Sequence, residues 1–232
     1  MLFLGFSAGL PLLLILGTLS FWLREAGIDR STIGYLTWVG LIYAFKWMWA
    51  PLVDRLSIPV LSRLFGRRRS WLLFAQLLII LGLIGMASID PKVQLTPIVW
   101  CALLVAFGSA TQDIALDAFR IESADSDHQA ALAATYQTGY RLALIWSGAG
   151  VLWLAARAEA GVAGYDPAAW QFAYLCMALS IGVGVVTTLF SKEPVRIELA
   201  KARNAKAWLH QTLIEPFADF IKRYGWHAIL IL

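Results

Sequence analysis

Apolar residues run almost unbroken for about twenty positions at a time in six places along this chain, at 2–23, 32–51, 71–89, 97–118, 132–155 and 169–190. A helix of that length covers a hydrocarbon layer about 30 Å thick, so each run predicts a membrane-spanning helix. A closed barrel would need strands of about 9–11 residues with strict alternation, and these runs do not alternate. The connectors between them, at 24–31, 54–70, 90–96, 122–129 and 156–168, are short. The pattern predicts an all-α integral membrane protein, a bundle of six transmembrane helices with both ends on one side of the bilayer.

Residues 1–190 thus read as one six-helix unit. The first run begins directly after Met1, with neither a basic stretch nor an A-x-A site, and reads as a helix that is kept and not as a cleaved signal. Beyond residue 190 the pattern changes. Residues 191–206 are rich in charge and 207–223 mix apolar with polar positions, so 191–223 reads as a linker that carries an amphipathic interfacial helix. Residues 224–232 turn apolar again and read as the start of a seventh membrane helix in a longer protein.

Composition sharpens this picture. The chain is 59% hydrophobic and 15% charged, where a soluble domain carries about 25% charged residues. A formal charge of +4 could suggest nucleic acid, but in a membrane protein Lys and Arg record orientation. Arg55, Arg63, Arg67, Arg68, Arg69, Arg120, Lys192, Arg196, Lys201, Arg203 and Lys206 fall on one side, against Arg24, Arg30, Lys92 and Arg157 on the other. That places the N-terminus and residues 191–223 in the cytoplasm, and the basic side against membrane lipid. Cys101 and Cys176 lie inside apolar runs, and His128, His210 and His227 stand apart from one another, so no metal site is expected. Nucleotide-binding loops, H-E-x-x-H and G-x-S-x-G elbows are missing too, and no cofactor and no catalytic residue are expected.

Four ionisable residues sit inside the spans: Lys46, Asp113, Asp117 and Arg141. A charge at the centre of a membrane helix costs at least about 2.5–3.5 kcal/mol, so such residues face a bundle interior and have work there. Asp113 and Asp117 are four apart and share a helix face, and two carboxylates so close need a cation. Lys46 lies at similar depth, and Arg141, about 13–15 Å into the fifth span, shares a face with Gln137, as Gln112 adjoins Asp113. The cluster reads either as a pathway for substrate and protons or as ion pairs that lock helices 2, 4 and 5. Between the second and third spans, Asp54-Arg55 is followed by Gly66-Arg67-Arg68-Arg69, an acid and a basic turn suited to a gate on the cytoplasmic side. Gly5-x-x-x-Gly9 permits close helix contact and Pro11 predicts a kink.

Gly5-Phe-Ser-Ala-Gly-Leu-Pro11, Phe45-Lys-Trp-Met-Trp-Ala-Pro-Leu-Val-Asp-Arg55, Gly66-Arg-Arg-Arg-Ser-Trp-Leu72, Ser109-Ala-Thr-Gln-Asp-Ile-Ala-Leu-Asp-Ala118 and Gly139-Tyr-Arg-Leu142 together resemble the AmpG permeases of the major facilitator superfamily. The resemblance covers nearly the whole chain. It implies the first half of a twelve-helix transporter in the bacterial inner membrane, with a C-terminal six-helix half as its partner and proton-driven import of anhydro-muropeptides in peptidoglycan recycling. The substrate would be an anionic sugar-peptide. A Q-D-I-x-x-D element also occurs in acetyl-coenzyme A transporters, which keeps that substrate class open. From another class, a membrane enzyme could use Asp113 and Asp117 as paired acids, but no nucleophile or metal-ligand set accompanies them.

Overall fold

A computed structural model of the chain describes residues 1–159, 161 and 164–194, with isolated positions at 210, 218, 221–223 and 225. Apart from those positions, the expected interfacial helix and the apolar tail at 224–232 lie outside the described residues. The chain divides into two compact units, Met1–Val195 and Arg196–Leu232. The first unit holds six long helical segments, and no strand occurs among the described residues.

In chain order these are α1 (Leu2–Glu25), α2 (residues 30–55), α3 (Arg67–Ala87), α4 (Leu95–Glu122), α5 (residues 126–158) and α6 (Pro167–Phe190), with a short helix at Leu61–Phe65 in the α2–α3 connection. Four of them, α1, α3, α4 and α6, are long and apolar enough to cross a membrane. The other two differ from the expected uninterrupted spans, for reasons their residues supply. Pro51 has no amide hydrogen and its ring displaces the carbonyl four residues back. Accordingly α2 tightens into a 3-10 turn at Lys46–Met48 and restarts at Ala50 with the proline in its first turn, and a separate 3-10 turn lies upstream at Thr37–Gly40. Segment α5 is helical throughout but carries Asp127, His128, Gln129, Gln137, Thr138 and Arg141, which dilute its apolar character.

The core lies between α1, α3, α4 and α6, where Leu10, Leu14, Ile79, Leu83, Val105 and Met177 are buried. By contrast α2 turns Tyr35, Trp38, Leu41 and Phe45 outward at helical spacing, and α5 leaves Gln137, Arg141 and Ile145 exposed.

Helices α1 and α5 cross almost in contact. A Cβ on Gly5 would stand 2.2 Å from the carbonyl oxygen of Tyr136, and one on Gly139 would stand 2.0 Å from that of Leu2. Above this crossing each helix widens into a π-turn, Leu14–Thr18 in α1 and Trp146–Gly150 in α5. A π-turn frees backbone carbonyls, and side chains from neighbouring helices satisfy two of them here. Tyr174 Oη donates to the Leu14 carbonyl at 2.8 Å, and Thr18 Oγ1 donates to the Ser147 carbonyl at 2.7 Å. The turn in α1 begins three residues after Pro11, where the kink is expected.

Aromatic and acidic side chains close one end of the bundle. Trp22 and Trp170 stack with ring centroids 5.9 Å apart, Trp170 Nε1 donates to Glu25 at 3.1 Å, and Tyr165 Oη donates to Asp90 at 2.8 Å. The opposite end carries the α2–α3 connection.

Candidate functional site

At that second end the basic turn is held by acids from three directions. Gly66 sits at φ +88°, a conformation open to glycine, and a Cβ there would also meet the Glu193 carboxylate at 2.4 Å. The tight turn lets the Glu193 carboxylate accept from the backbone amides of Arg68 (2.8 Å) and Arg69 (3.1 Å), an anion set on the positive start of α3. Arg68 then reaches Asp54 Oδ1 with Nη1 at 2.9 Å and Glu122 Oε2 with Nε at 3.0 Å. Arg67 lies 3.5 Å from Glu122 and also donates to the Asp54 carbonyl. Arg69 donates to the Thr188 carbonyl at 2.8 Å and to the Leu189 carbonyl, covering acceptors at the end of α6. Asp54, Gly66, Arg67 and Arg68 are thus brought together, and Arg55 lies on the same last turn of α2.

Deeper in the bundle, Lys46 Nζ of α2 stands 4.0 Å from Asp113 Oδ2 of α4. The other oxygen, Asp113 Oδ1, is buried without a hydrogen-bond partner, and so is the hydroxyl of Tyr43, three residues before Lys46. Asp117 does not join this pair. It is 54% exposed and pairs along its own helix with Arg120 at 3.4 Å, while Arg120 lies over the Tyr136 ring at 5.7 Å. Gln112 points the other way, into the core, where Nε2 donates to Ser7 Oγ at 3.4 Å.

Arg141 and Gln137 lie together on the outer face of α5. With Ala134, Thr138, Leu142 and Ile145 they line an open depression of about 380 Å³. Arg141 makes no ion pair among the described residues. The predicted cluster therefore resolves into three parts: an ion pair across α2 and α4, a local pair on α4, and a cationic face on α5.

Sequence reasoning did not find Glu122, Glu193 or Tyr43 as members of these sites. The two glutamates each end a membrane segment on the basic side, which was the one available signal. Tyr43 carries none beyond its place one turn from Lys46. Among the described residues no group of His, Cys, Asp and Glu is arranged to hold a metal.

Long apolar helices with ion pairs between α2 and α4 and across the α2–α3 turn define an all-α membrane protein. The chain belongs to the family described as acetyl-coenzyme A transporter 1, whose model matches residues 1–156. It is 37% identical to the anhydromuropeptide permease of Escherichia coli over the whole of this chain and 44% of that protein. It is 38% identical to the transporter AmpG 4 of Rickettsia felis over 95% of this chain and 51% of the relative. AmpG 3 of Rickettsia typhi is 32% identical over 88% of this chain and 46% of its own length. The chain thus spans about half the length of the curated relatives it matches.

Proposed function

We propose that this chain forms the N-terminal half of a proton-coupled importer of anhydro-muropeptides in the bacterial inner membrane, working with a second six-helix half. The observation that carries the substrate reading is the α5 face, where Arg141, Gln137 and Thr138 border one depression. A guanidinium offers a planar fork that fits a carboxylate, and the amide and hydroxyl suit peptide groups. Such an arrangement matches the anionic peptide arm of a muropeptide, and the relatives' names agree with it. In this reading Asp113 takes up the proton, Lys46 balances it when ionised, and the Asp54, Arg68 and Glu122 cluster is the gate on the cytoplasmic side. Both termini of the half then lie in the cytoplasm, in keeping with the distribution of Lys and Arg. The protein moves its substrate without chemical change.

A second reading, an acetyl-coenzyme A or related organic-anion transporter, is favoured by the description of the matching family. It uses the same Arg141, directed at phosphate. Reconstitution of the full-length protein into vesicles with an imposed proton gradient separates them. Uptake of labelled anhydro-muropeptide, weakened by Arg141→Lys at unchanged protein abundance, supports the first reading. Uptake of acetyl-coenzyme A alone overturns it.

A further inference from the structure

The π-turns of α1 and α5 lie against each other, and three helices are joined around them in a ring of side-chain hydrogen bonds. Tyr174 of α6 donates to the Leu14 carbonyl of α1 at 2.8 Å, Thr18 of α1 donates to the Ser147 carbonyl of α5 at 2.7 Å, and Trp146 Nε1 of α5 donates to Ser180 Oγ of α6 at 3.1 Å. One group at this level is left out. The Ser147 hydroxyl is fully buried and makes no hydrogen bond among the described residues. A serine or threonine inside a helix can donate to the carbonyl four residues back, and Ser20, Thr138, Ser180 and Thr188 all do so here at 2.7–2.9 Å. Ser147 lies in the widened turn Trp146–Gly150, where that spacing is lost. A buried hydroxyl without a partner carries a desolvation cost. An α-turn at the same residues would remove it, by giving Ser147 the Ala143 carbonyl as acceptor. It would also take up the Ser147 carbonyl within α5 and leave Thr18 without its acceptor. The two hydroxyls thus favour opposite forms of one turn.

We propose that Trp146–Gly150 is a two-state hinge in α5, which passes between the π-turn and a regular α-turn, with Thr18 holding the first form and Ser147 the second. Its role rests on the reading of the chain as half of a transporter, whose work requires two conformations. The parts of α5 on either side of the hinge are anchored differently. Residues 136–143 are pressed onto α1 by Gly5, Gly9 and Gly139, with no room for a Cβ at any of the three, so the Arg141 face stays in place. Residues 151–158 pack against α6, with Val151 and Ala155 buried and Leu152 and Trp153 exposed. Taking up the extra residue of the π-turn as α-helix turns 151–158 by about 100°, which brings Val151 and Ala155 out from the bundle. The hinge has space for this, since a Cβ on Gly148 would meet only a Leu13 methyl, at 3.5 Å. The Trp146 ring lies back over Gly150, where a Cβ would stand 2.4 Å from it, and its bond to Ser180 links the hinge to α6. The last two turns of α5 thereby move while the substrate face does not.

The test is thiol labelling of the full-length protein in lipid vesicles, with N-ethylmaleimide as the probe and Ala155→Cys as the reporter in a background of Cys101→Ala and Cys176→Ala. The Ala155→Cys variant reacts when 151–158 turn outward, so its rate reads the population of the α-turn. Ser147→Ala removes the hydroxyl that favours the α-turn and is expected to slow labelling by roughly fivefold to tenfold, the population change that one net hydrogen bond makes. Thr18→Val removes the donor that favours the π-turn and is expected to quicken labelling by a similar factor. The thermal unfolding midpoint of Ser147→Ala in the otherwise native chain is an independent measure. It rises if a stranded hydroxyl is lost and falls if that hydroxyl serves the structure as a donor. Labelling unchanged by Ser147→Ala, or a lowered midpoint for that variant, overturns the hinge. Labelling needs no substrate, which separates the hinge from the transport reading. If the two substitutions change labelling as expected but the wild type takes up no anhydro-muropeptide, the hinge stands and the transport reading is overturned.

Discussion

Arg68 and Glu122 meet along two parallel bonds, Nε to Oε2 at 3.0 Å and Nη2 to Oε1 at 2.5 Å, with the side chains 6% and 9% exposed. Breaking a buried pair by neutralising one partner strands the other charge and costs about 3–5 kcal/mol. Asp54, the other acid on Arg68, is 44% exposed, and an exposed pair contributes about 0–1 kcal/mol. Glu122→Gln is therefore expected to lower the thermal unfolding midpoint of the purified protein far more than Asp54→Asn. Equal shifts for the two variants would show that the cluster does not have this order.

The α1–α5 crossing makes a second prediction. A Cβ at Gly139 or Gly5 meets backbone carbonyl oxygens at 2.0 and 2.2 Å, and backbone cannot swing aside as a side chain can. Gly139→Ala or Gly5→Ala should cost more than the about 1–3 kcal/mol typical of overpacking and should reduce folded protein in the membrane. Gly182→Ala is the control, since nothing lies within 4 Å of its Cβ. In a helix interior it should be neutral or stabilising. Fluorescence-detected size exclusion of the three variants decides the matter.

Asp29 caps the start of α2. Its carboxylate accepts from the Thr32 amide at 2.9 Å, from Thr32 Oγ1 at 2.7 Å and from Ser31 Oγ. These donors, led by the Ser31 hydroxyl, lower its pKa from 3.8 to about 2. Because the folded value lies below the unfolded one, the cap's contribution is fully present above about pH 4 and is lost as pH falls through 2. Asp29→Ala should therefore reduce stability by a constant amount at neutral pH, and its difference from the wild type should shrink between pH 4 and pH 2. A gap of constant size down to pH 2 would mean that the carboxylate charge plays no part.

How far the sequence foretold these features depends on the range over which each is encoded. The apolar runs of α1, α3, α4 and α6 encode themselves, because a span needs only its own residues to be apolar. Pro51 and the polar residues of α5 are equally local, and they account for the two segments that depart from unbroken apolar helices. Gly66, Arg67 and Arg68 could be picked out as a gate because glycine beside a basic run is a turn signal. Asp54 could be named with them as the acid that ends α2, but Glu122 and Glu193 could not. Positions 54, 122 and 193 meet only when three helices end at one level, and no spacing along the chain records that. The same holds for Asp113, whose pairing with Lys46 instead of Arg141 follows from which side of α5 faces outward.

The hydrogen bond from Thr18 to Ser147 gives a further prediction. Thr18→Val keeps the shape but leaves a buried carbonyl without a donor, at a cost of about 1–3 kcal/mol. The effect should be local to the π-turn. Amide exchange at residues 147–151 should quicken while exchange in α3 stays unchanged. Uniform quickening through the bundle would instead mark a global loss of stability.

Each π-turn contains one residue more than the α-helix it interrupts, and that residue turns everything after it by about 100°. Leu19, Trp22 and Leu23, all buried at 2% exposure or less, owe their inward direction to the extra residue in Leu14–Thr18. Substitutions within the turn keep this phase, whereas removing a single residue there would leave an unbroken and more regular helix with those three side chains swung out of the core. In this stretch the number of residues is under stronger constraint than their identity, and a chain can lose its fold here by becoming a better helix.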